Sequence, residues 1–268
     1  MAEGLTQRVQ TAVLFGIPVL GLVFYSNLTR TIFIALLIGL TAMEYLQLHY
    51  QPLSAHISSV IFASLGTFVI AMGSYTGYIP EYVLLIIGLI SSIIYLVDLL
   101  LKEQAWLRQA PGLTTLLYTT IPFSILLAQH SKPYFHAVLI GALVLIWISD
   151  SGAYFVGKSL GKRKLMPSVS PGKSWEGFWG AGMCTMLASY IFASLLGVFS
   201  FKTWALIALC VWVFGSLGDL VESKLKRKLK IKDSGTILPG HGGFLDRFDG
   251  FYFCLPFVIL VINLTHNV

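Results

Sequence analysis

Residues 81–101 read EYVLLIIGLISSIIYLVDLLL, with no charged side chain between Glu81 and Asp98. A helix of about 20 largely apolar residues is long enough to cross the hydrocarbon core of a bilayer, so this run is read as a transmembrane helix. Working outward, eight more windows of the same kind lie near 9–26, 31–49, 57–73, 113–128, 136–157, 174–199, 203–222 and 250–265. Turn-forming residues separate many of them: Ser26-Asn27, Gln51-Pro52, Tyr78 to Pro80, Ala110-Pro111-Gly112 and Lys132-Pro133. Of the 268 residues, 56% are hydrophobic and 11% charged, where a soluble domain carries roughly a quarter charged residues. With a mean hydropathy of +0.79, this composition excludes disorder, a coiled coil and a solvated globular surface. The expected fold is an all-α integral membrane protein, a polytopic bundle of about nine transmembrane helices in one membrane domain. Residues 1–135 supply its N-terminal helices and 136–268 the C-terminal helices that carry the polar motifs.

Basic residues orient this bundle. Alternating the loops places Arg8, Lys102, Arg108, the Lys/Arg of 158–173 and those of 223–249 on one side, and Arg30, Lys132 and Lys202 on the other. That is 15 of the 18 basic residues against 3. Cytoplasmic loops hold the Lys/Arg excess, so the N-terminus is expected in the cytoplasm. Only Arg8 precedes the first window and no small-residue cleavage site follows it, so the window reads as an uncleaved helix rather than a signal peptide. Cys184, Cys210 and Cys254 sit in apolar runs without a CxxC pair and read as small buried hydrophobes. The net charge of +6 speaks to topology and anionic lipid rather than to nucleic acid.

Acidic residues crowd the same leaflet. Asp150 lies in the sixth window, Glu176 opens the seventh, Asp219 and Glu222 close the eighth, and Asp246 and Asp249 precede the ninth. Asp219, Glu222 and Ser223 share a helix face at i, i+3, i+4. Ionised groups are expensive in a membrane, so a cluster of them amid many Lys/Arg points to a divalent cation and a phosphate-rich substrate. Pairing with neighbouring lysines is the plainer alternative. Glu44 and Asp98 also lie near helix ends, with no motif around them.

Three segments carry the chemistry. Ser170-Pro171-Gly172-Lys173-Ser174-Trp175-Glu176-Gly177 reads as a turn into a helix whose first turn holds Lys173 and Glu176. It suits a phosphate site at a helix start or a plain cap equally well. Gly218-Asp219-Leu220-Val221-Glu222-Ser223 follows. Then comes a basic run, Lys232-Asp233, and a glycine-rich turn, Leu238-Pro239-Gly240-His241-Gly242-Gly243, before Asp246-Arg247-Phe248-Asp249. Gly152 to Ser159 fits GxxxxGK[ST], the P-loop pattern, but it falls at the end of a helical window with no strand before it. Its glycines are read as helix-packing and helix-ending residues.

From Ser223 to Asp249 the chain resembles the signature of the phosphatidate cytidylyltransferases, or CDP-diacylglycerol synthases, of bacterial type. Ser223, Lys226-Arg227, Lys232-Asp233, His241-Gly242-Gly243 and Asp246-Arg247-Phe248-Asp249 carry the likeness, and the segments at Asp150 and Lys173 support it. The resemblance implies that CTP and phosphatidate give CDP-diacylglycerol and pyrophosphate in phospholipid synthesis, with magnesium and with potassium as a candidate second cation. It implies a bacterial inner-membrane enzyme whose active site faces the cytoplasm, and a homodimer. Asp219, Asp246 and Asp249 are then the expected metal ligands. Lys173, Lys226, Arg227, Lys232 and Arg247 are expected to hold phosphates, beside the backbone of Gly242 and Gly243. Ser223 is expected on metal or phosphate. His241 is expected to assist a proton transfer, bind phosphate or mark a structural turn. Asp150 and Glu176 are expected as supporting or cytidine-side groups.

The rivals are the same chemistry on an ether-lipid phosphate, a transporter, and a scaffold for anionic lipid. A transporter needs polar groups near the midplane, and a scaffold has no need of the acids. Asp246→Asn is expected to lower turnover about 100-fold or more in a folded protein, the scale of losing one electrostatic contact to the reacting centre. Lys228→Ala, outside the signature, is expected to retain most activity; steady-state rates of the two purified variants check this.

Overall fold

The computed structural model describes residues 19, 21–50, 53–101, 110–235 and 242–266. Residues 9–18 and 20 of the window 9–26 lie outside these residues, as do Arg8, Lys102, Arg108 and His241. Eight helices are followed here: α1 Asn27–His49, α2 Leu53–Thr76 (its first turn 3-10), α3 Glu81–Leu100, α4 Pro111–Leu127, α5 Phe135–Leu160, α6 Trp175–Leu196, α7 Phe201–Lys228 and α8 Leu245–Thr265. All except α4 are long and apolar enough to span a bilayer. The windows read at 31–49, 57–73, 81–101, 136–157, 174–199, 203–222 and 250–265 thus correspond to seven spanning helices, and that at 113–128 to a shorter one. Large apolar side chains such as Phe62, Phe68, Ile93, Met183, Leu187 and Leu195 are exposed along these helices. That is the surface a bilayer covers, and the chain is an integral membrane protein.

The described residues form two compact units. One comprises those of Met1–His136 with Leu229–Phe248, the other those of Ala137–Lys228 with Asp249–Val268. Gly242 and Gly243 of the signature segment therefore belong to the unit that holds the N-terminal helices.

In the first unit, α1 starts on a capping box: the Ser26 hydroxyl accepts the Thr29 N–H, and the Thr29 side chain returns to the Ser26 N–H at 3.0 Å. Its buried stripe, Phe33, Ile34, Leu37, Ile38 and Tyr45, follows helical spacing. Polar groups inside are paired locally. The Thr41 hydroxyl donates to the Leu37 carbonyl at 2.6 Å, and Thr67 on α2 meets Thr120 on α4 at 3.0 Å. Tyr118 stacks obliquely between Tyr45 and Tyr95, with ring centroids 5.4 and 4.7 Å away. Residues Leu116–Thr120 of α4 form one π-type turn, a local widening that often marks a specialised site. Phe248 of the signature segment packs edge-on against Phe33 and Phe123, at 6.3 and 6.4 Å.

In the second unit, α6 lies along α7. Trp212 donates its indole N–H to the Phe178 carbonyl at 2.6 Å, and Phe214 stacks face to face on Phe257. The P-loop-like residues Gly152 to Gly157 lie inside α5. A side chain at Gly152 would meet Cys184, and one at Gly177 would meet the Ala153 carbonyl at 2.8 Å. These glycines let α5 and α6 approach closely, as the helical reading expects. Between α5 and α6 the chain forms a small antiparallel hairpin, β1 Lys164–Met166 and β2 Ser170–Ser174, paired Lys164 with Ser174. An all-α reading missed it because strands of three and five residues carry no alternating pattern. Cys184, Cys210 and Cys254 are free thiols, the latter two buried.

A Cβ added at Gly182 would stand 2.5–2.7 Å from the Trp212 ring. Gly182→Ala is therefore expected to cost about 1–3 kcal/mol through overpacking, read as a lower thermal midpoint in detergent.

Candidate active site

In the second unit, the hairpin and residues of α5, α6 and α7 surround a cavity of about 470 Å³. Its wall includes Asp150, Tyr154 and Lys158 from α5, Lys173 from β2, and Ser216 and Asp219 from α7. Lys173 reaches across it to Asp219, with Nζ 2.5 Å from Oδ2, and also donates to the Ser216 carbonyl at 3.3 Å. About a third of the Asp219 side chain remains accessible (35%), as does 27% of Lys173, so an incoming ligand can contact both. The Ser223 hydroxyl donates to the other Asp219 oxygen at 3.2 Å, one helical turn further along α7.

Lys173 belongs to a strand rather than to the first turn of α6, a correction to the sequence reading. The Pro171-Gly172 pair sits in the extended strand, and α6 begins at Trp175. Ser174 is the cap, accepting the Gly177 N–H at 3.1 Å. Glu176 turns instead to the hairpin, accepting the N–H of Lys162 at 3.0 Å and of Arg163 at 3.2 Å. It thereby holds the entry to β1, the strand that pairs with β2, which carries Lys173. Arg227 donates to the Val169 carbonyl at 3.4 Å and ties the hairpin turn to α7.

Asp249 completes the acidic side of this unit. Its carboxyl meets that of Glu222 and feels Asp219 and Asp150 nearby. Its Oδ1 also accepts the Gly250 N–H at 2.6 Å. Glu222 is buried, with Lys226 at 3.5 Å one turn on. Carboxyls facing one another in an apolar setting need a shared proton or a cation between them, and an all-oxygen donor set suits a hard divalent ion. Among the described residues, however, no three acidic, His or Cys side chains converge as a ready-made metal cage. Asp219 is turned toward Lys173 instead.

The signature turn of the first unit is organised by two carboxylates. Asp246 Oδ2 accepts the Ser234 N–H at 2.7 Å, the Ser234 hydroxyl at 2.9 Å and the Gly243 N–H at 2.9 Å. Glu44 on α1, only 2% exposed, accepts the Phe244 N–H at 2.7 Å and the Leu245 N–H at 3.3 Å, and also contacts the Ser234 hydroxyl. Phe244 and Leu245 stand at the start of α8, where backbone donors lack helical partners. Gly242 has φ +79°, a left-handed conformation that favours glycine. At Gly243 a side chain would overlap the Glu44 carboxylate. Lys232 and Arg247 are exposed. Sequence reasoning passed over Glu44 and Ser234. The available signal was an acid near the end of an apolar helix, with no motif to name its partner.

The chain matches the model of the cytidylyltransferase family over residues 6–265, and it belongs to that family. Among curated relatives, the phosphatidate cytidylyltransferase of Bacillus subtilis (strain 168) is 54% identical over 124 residues, 46% of this chain and 46% of that protein. That of Staphylococcus saprophyticus is 43% identical over 155 residues, 57% of this chain and 58% of its own. That of Staphylococcus aureus (strain COL) is 46% identical over 123 residues, 45% and 47% of the two chains. The chain thus spans about half the length of the curated relatives it matches.

Removing the Glu176 carboxylate frees two hairpin N–H groups. Glu176→Ala is expected to loosen the already exposed 162–164 segment, so that trypsin cuts after Lys162, Arg163 or Lys164 several-fold faster than in the wild type, measured by timed digestion in detergent.

Proposed function

We propose that the chain is a phosphatidate cytidylyltransferase, which joins CTP and phosphatidate to give CDP-diacylglycerol and pyrophosphate. The observation that carries this reading is the Lys173–Asp219 pair in the wall of a cavity large enough for a small-molecule ligand, in a membrane protein of the cytidylyltransferase family. Pockets of about 300–1,000 Å³ are the usual size for such ligands. The acyl chains of phosphatidate stay in the bilayer while its phosphate reaches the interface, and CTP arrives from the aqueous side.

The step is an in-line displacement. An oxygen of the lipid phosphate forms a bond to the α-phosphorus of CTP, the bond to the β-phosphate oxygen breaks, and pyrophosphate leaves with the electron pair. A phosphate monoester has a second pKa of about 6, so the nucleophile is already ionised near neutral pH and no strong base is needed. Both substrates are polyanions. Lys173 supplies a fixed cationic donor beside the cavity and offsets charge at the transferring group. Lys226, Arg227, Lys232 and Arg247, with the backbone of Gly242 and Gly243, are the further phosphate-holding groups in this reading, Asp150 is a supporting or cytidine-side group, and Glu176 acts by holding the hairpin.

Magnesium, with Asp219, Asp246 and Asp249 as the ligands that the family resemblance implies, supplies Lewis-acid stabilisation of the phosphoryl oxygens when bound. The facing carboxyls of Asp249 and Glu222 support a cation in the second unit, and potassium is the candidate for a second ion. Ser223 shares the Asp219 carboxylate with that role, and His241 remains a proton-transfer or phosphate-binding candidate. With nine spans, the short α4 and the window at 9–26 among them, the Lys/Arg partition supports a cytoplasmic N-terminus and a site facing the cytoplasm at the bacterial inner membrane; a homodimer is part of the same reading.

Detergent-purified protein given CTP, phosphatidate and magnesium is expected to release pyrophosphate and form CDP-diacylglycerol in equal amounts, with loss of both when any one component is omitted. Release that persists without phosphatidate, or none from a folded protein across a lipid panel including ether lipids, overturns the reading.

A further inference from the structure

We propose that Glu44 is the positioning residue of the signature turn: from α1 it fixes the start of α8 and, through the Ser234 hydroxyl, the orientation of the Asp246 carboxylate. The importance of that carboxylate for turnover rests on the phosphatidate cytidylyltransferase reading; the grip itself does not.

Glu44 occupies a position where an apolar residue would pack without cost. It is buried, directly before the buried pair Tyr45–Leu46 and two residues after the buried pair Thr41–Ala42, on a membrane-spanning helix. An acid there is expensive unless donors are brought to it, and here Ser234, Phe244 and Leu245 of the signature segment supply them. Phe244 and Leu245 present the N–H groups of a helix start, where the helix itself supplies no acceptor and its dipole favours a negative charge. The third donor is Ser234, and it is shared. Its hydroxyl touches both Glu44 and Asp246 Oδ2, yet a serine hydroxyl carries a single proton. It can donate to one carboxylate at a time, so the two acids are coupled through that proton. Asp246 keeps the Ser234 and Gly243 N–H groups, while Glu44 keeps those of Phe244 and Leu245. Two glycines make the room: a Cβ at Gly235 would stand 2.9 Å from the Glu44 carboxylate, and one at Gly243 would overlap it. The small residues of the turn are thus matched to an acid about 200 positions away in sequence.

A helix cap with no further role would affect stability alone. A positioning residue alters what Asp246 does in molecules that remain folded. Glu44→Gln keeps the volume and replaces one acceptor oxygen with a donor. In this variant, hydrogen exchange of peptides covering 242–248 is expected to speed up about tenfold, the consequence of losing one or two such bonds. Per folded molecule, kcat is expected to fall at least about tenfold with KM for CTP and phosphatidate changed less than about twofold, the pattern of an interaction made in the transition state. Glu44→Asp, which restores the charge with a shorter reach, is expected to lie between. Ser234→Ala removes the shared hydroxyl without touching the backbone contacts of Glu44. It is expected to lower kcat in the same direction and to combine less than additively with Glu44→Gln, which keeps the idea testable if Glu44→Gln does not fold.

Wild-type exchange at 242–248 together with kcat within about twofold of wild type in these variants overturns the proposal, as does a lower unfolding temperature with unchanged kcat per folded molecule. If the wild-type protein itself releases no pyrophosphate, the activity reading fails, and the exchange measurement still decides whether Glu44 holds the turn.

Discussion

An ionised carboxylate placed among apolar helices survives only where hydrogen-bond donors or cations are carried to it, and the polar architecture of this protein follows from that constraint. Asp219 is met by Lys173 and Ser223. Glu176 gathers two backbone N–H groups of the hairpin. Asp246 and Glu44 together take the N–H groups of Ser234, Gly243, Phe244 and Leu245. The hairpin that carries Lys173 and the described part of the signature segment are thus each held by carboxylates.

Close helix contact is the second requirement. Lipid supplies no hydrophobic drive between helices, so association depends on fit and on small residues. Gly152 and Gly177 bring α5 and α6 together, and Gly182 receives the Trp212 ring. The π-type turn at Val211–Gly215 lies just before Ser216 and Asp219. A π-type turn shifts the facing of the residues after it relative to a regular helix, and here those residues include the one that meets Lys173 across the cavity. Packing and chemistry are therefore linked along a single element, α7.

The hairpin at Lys164–Ser174 shows how a short segment escapes sequence reasoning. Ser-Pro-Gly-Lys suggests a turn into a helix, and Ser174 does cap α6. The chain before it is nevertheless extended, because β1 and β2 pair with each other and Glu176 anchors the entry to β1. Lys173 thereby projects from a strand into the cavity wall, a direction that a helical first turn would not provide. Arg227 adds the tie from α7 to the Val169 carbonyl, a contact between residues of which only one belonged to a recognisable motif.

Sequence alone determined the helical membrane class, because an apolar run of about 20 residues has few other stable solutions. It also determined the positions of seven spanning helices to within a few residues and the family signature from Ser223 to Asp249. Periodicity and composition are local properties, so they are legible without a fold. Tertiary structure alone decided which donors each acid meets: that Lys173 reaches Asp219, that Glu176 serves the hairpin, and that Glu44, in no motif, grips the turn at Gly243. Hydrogen bonds between residues up to 201 positions apart depend on helix packing, and packing is set by side-chain shape in three dimensions rather than by spacing along the chain.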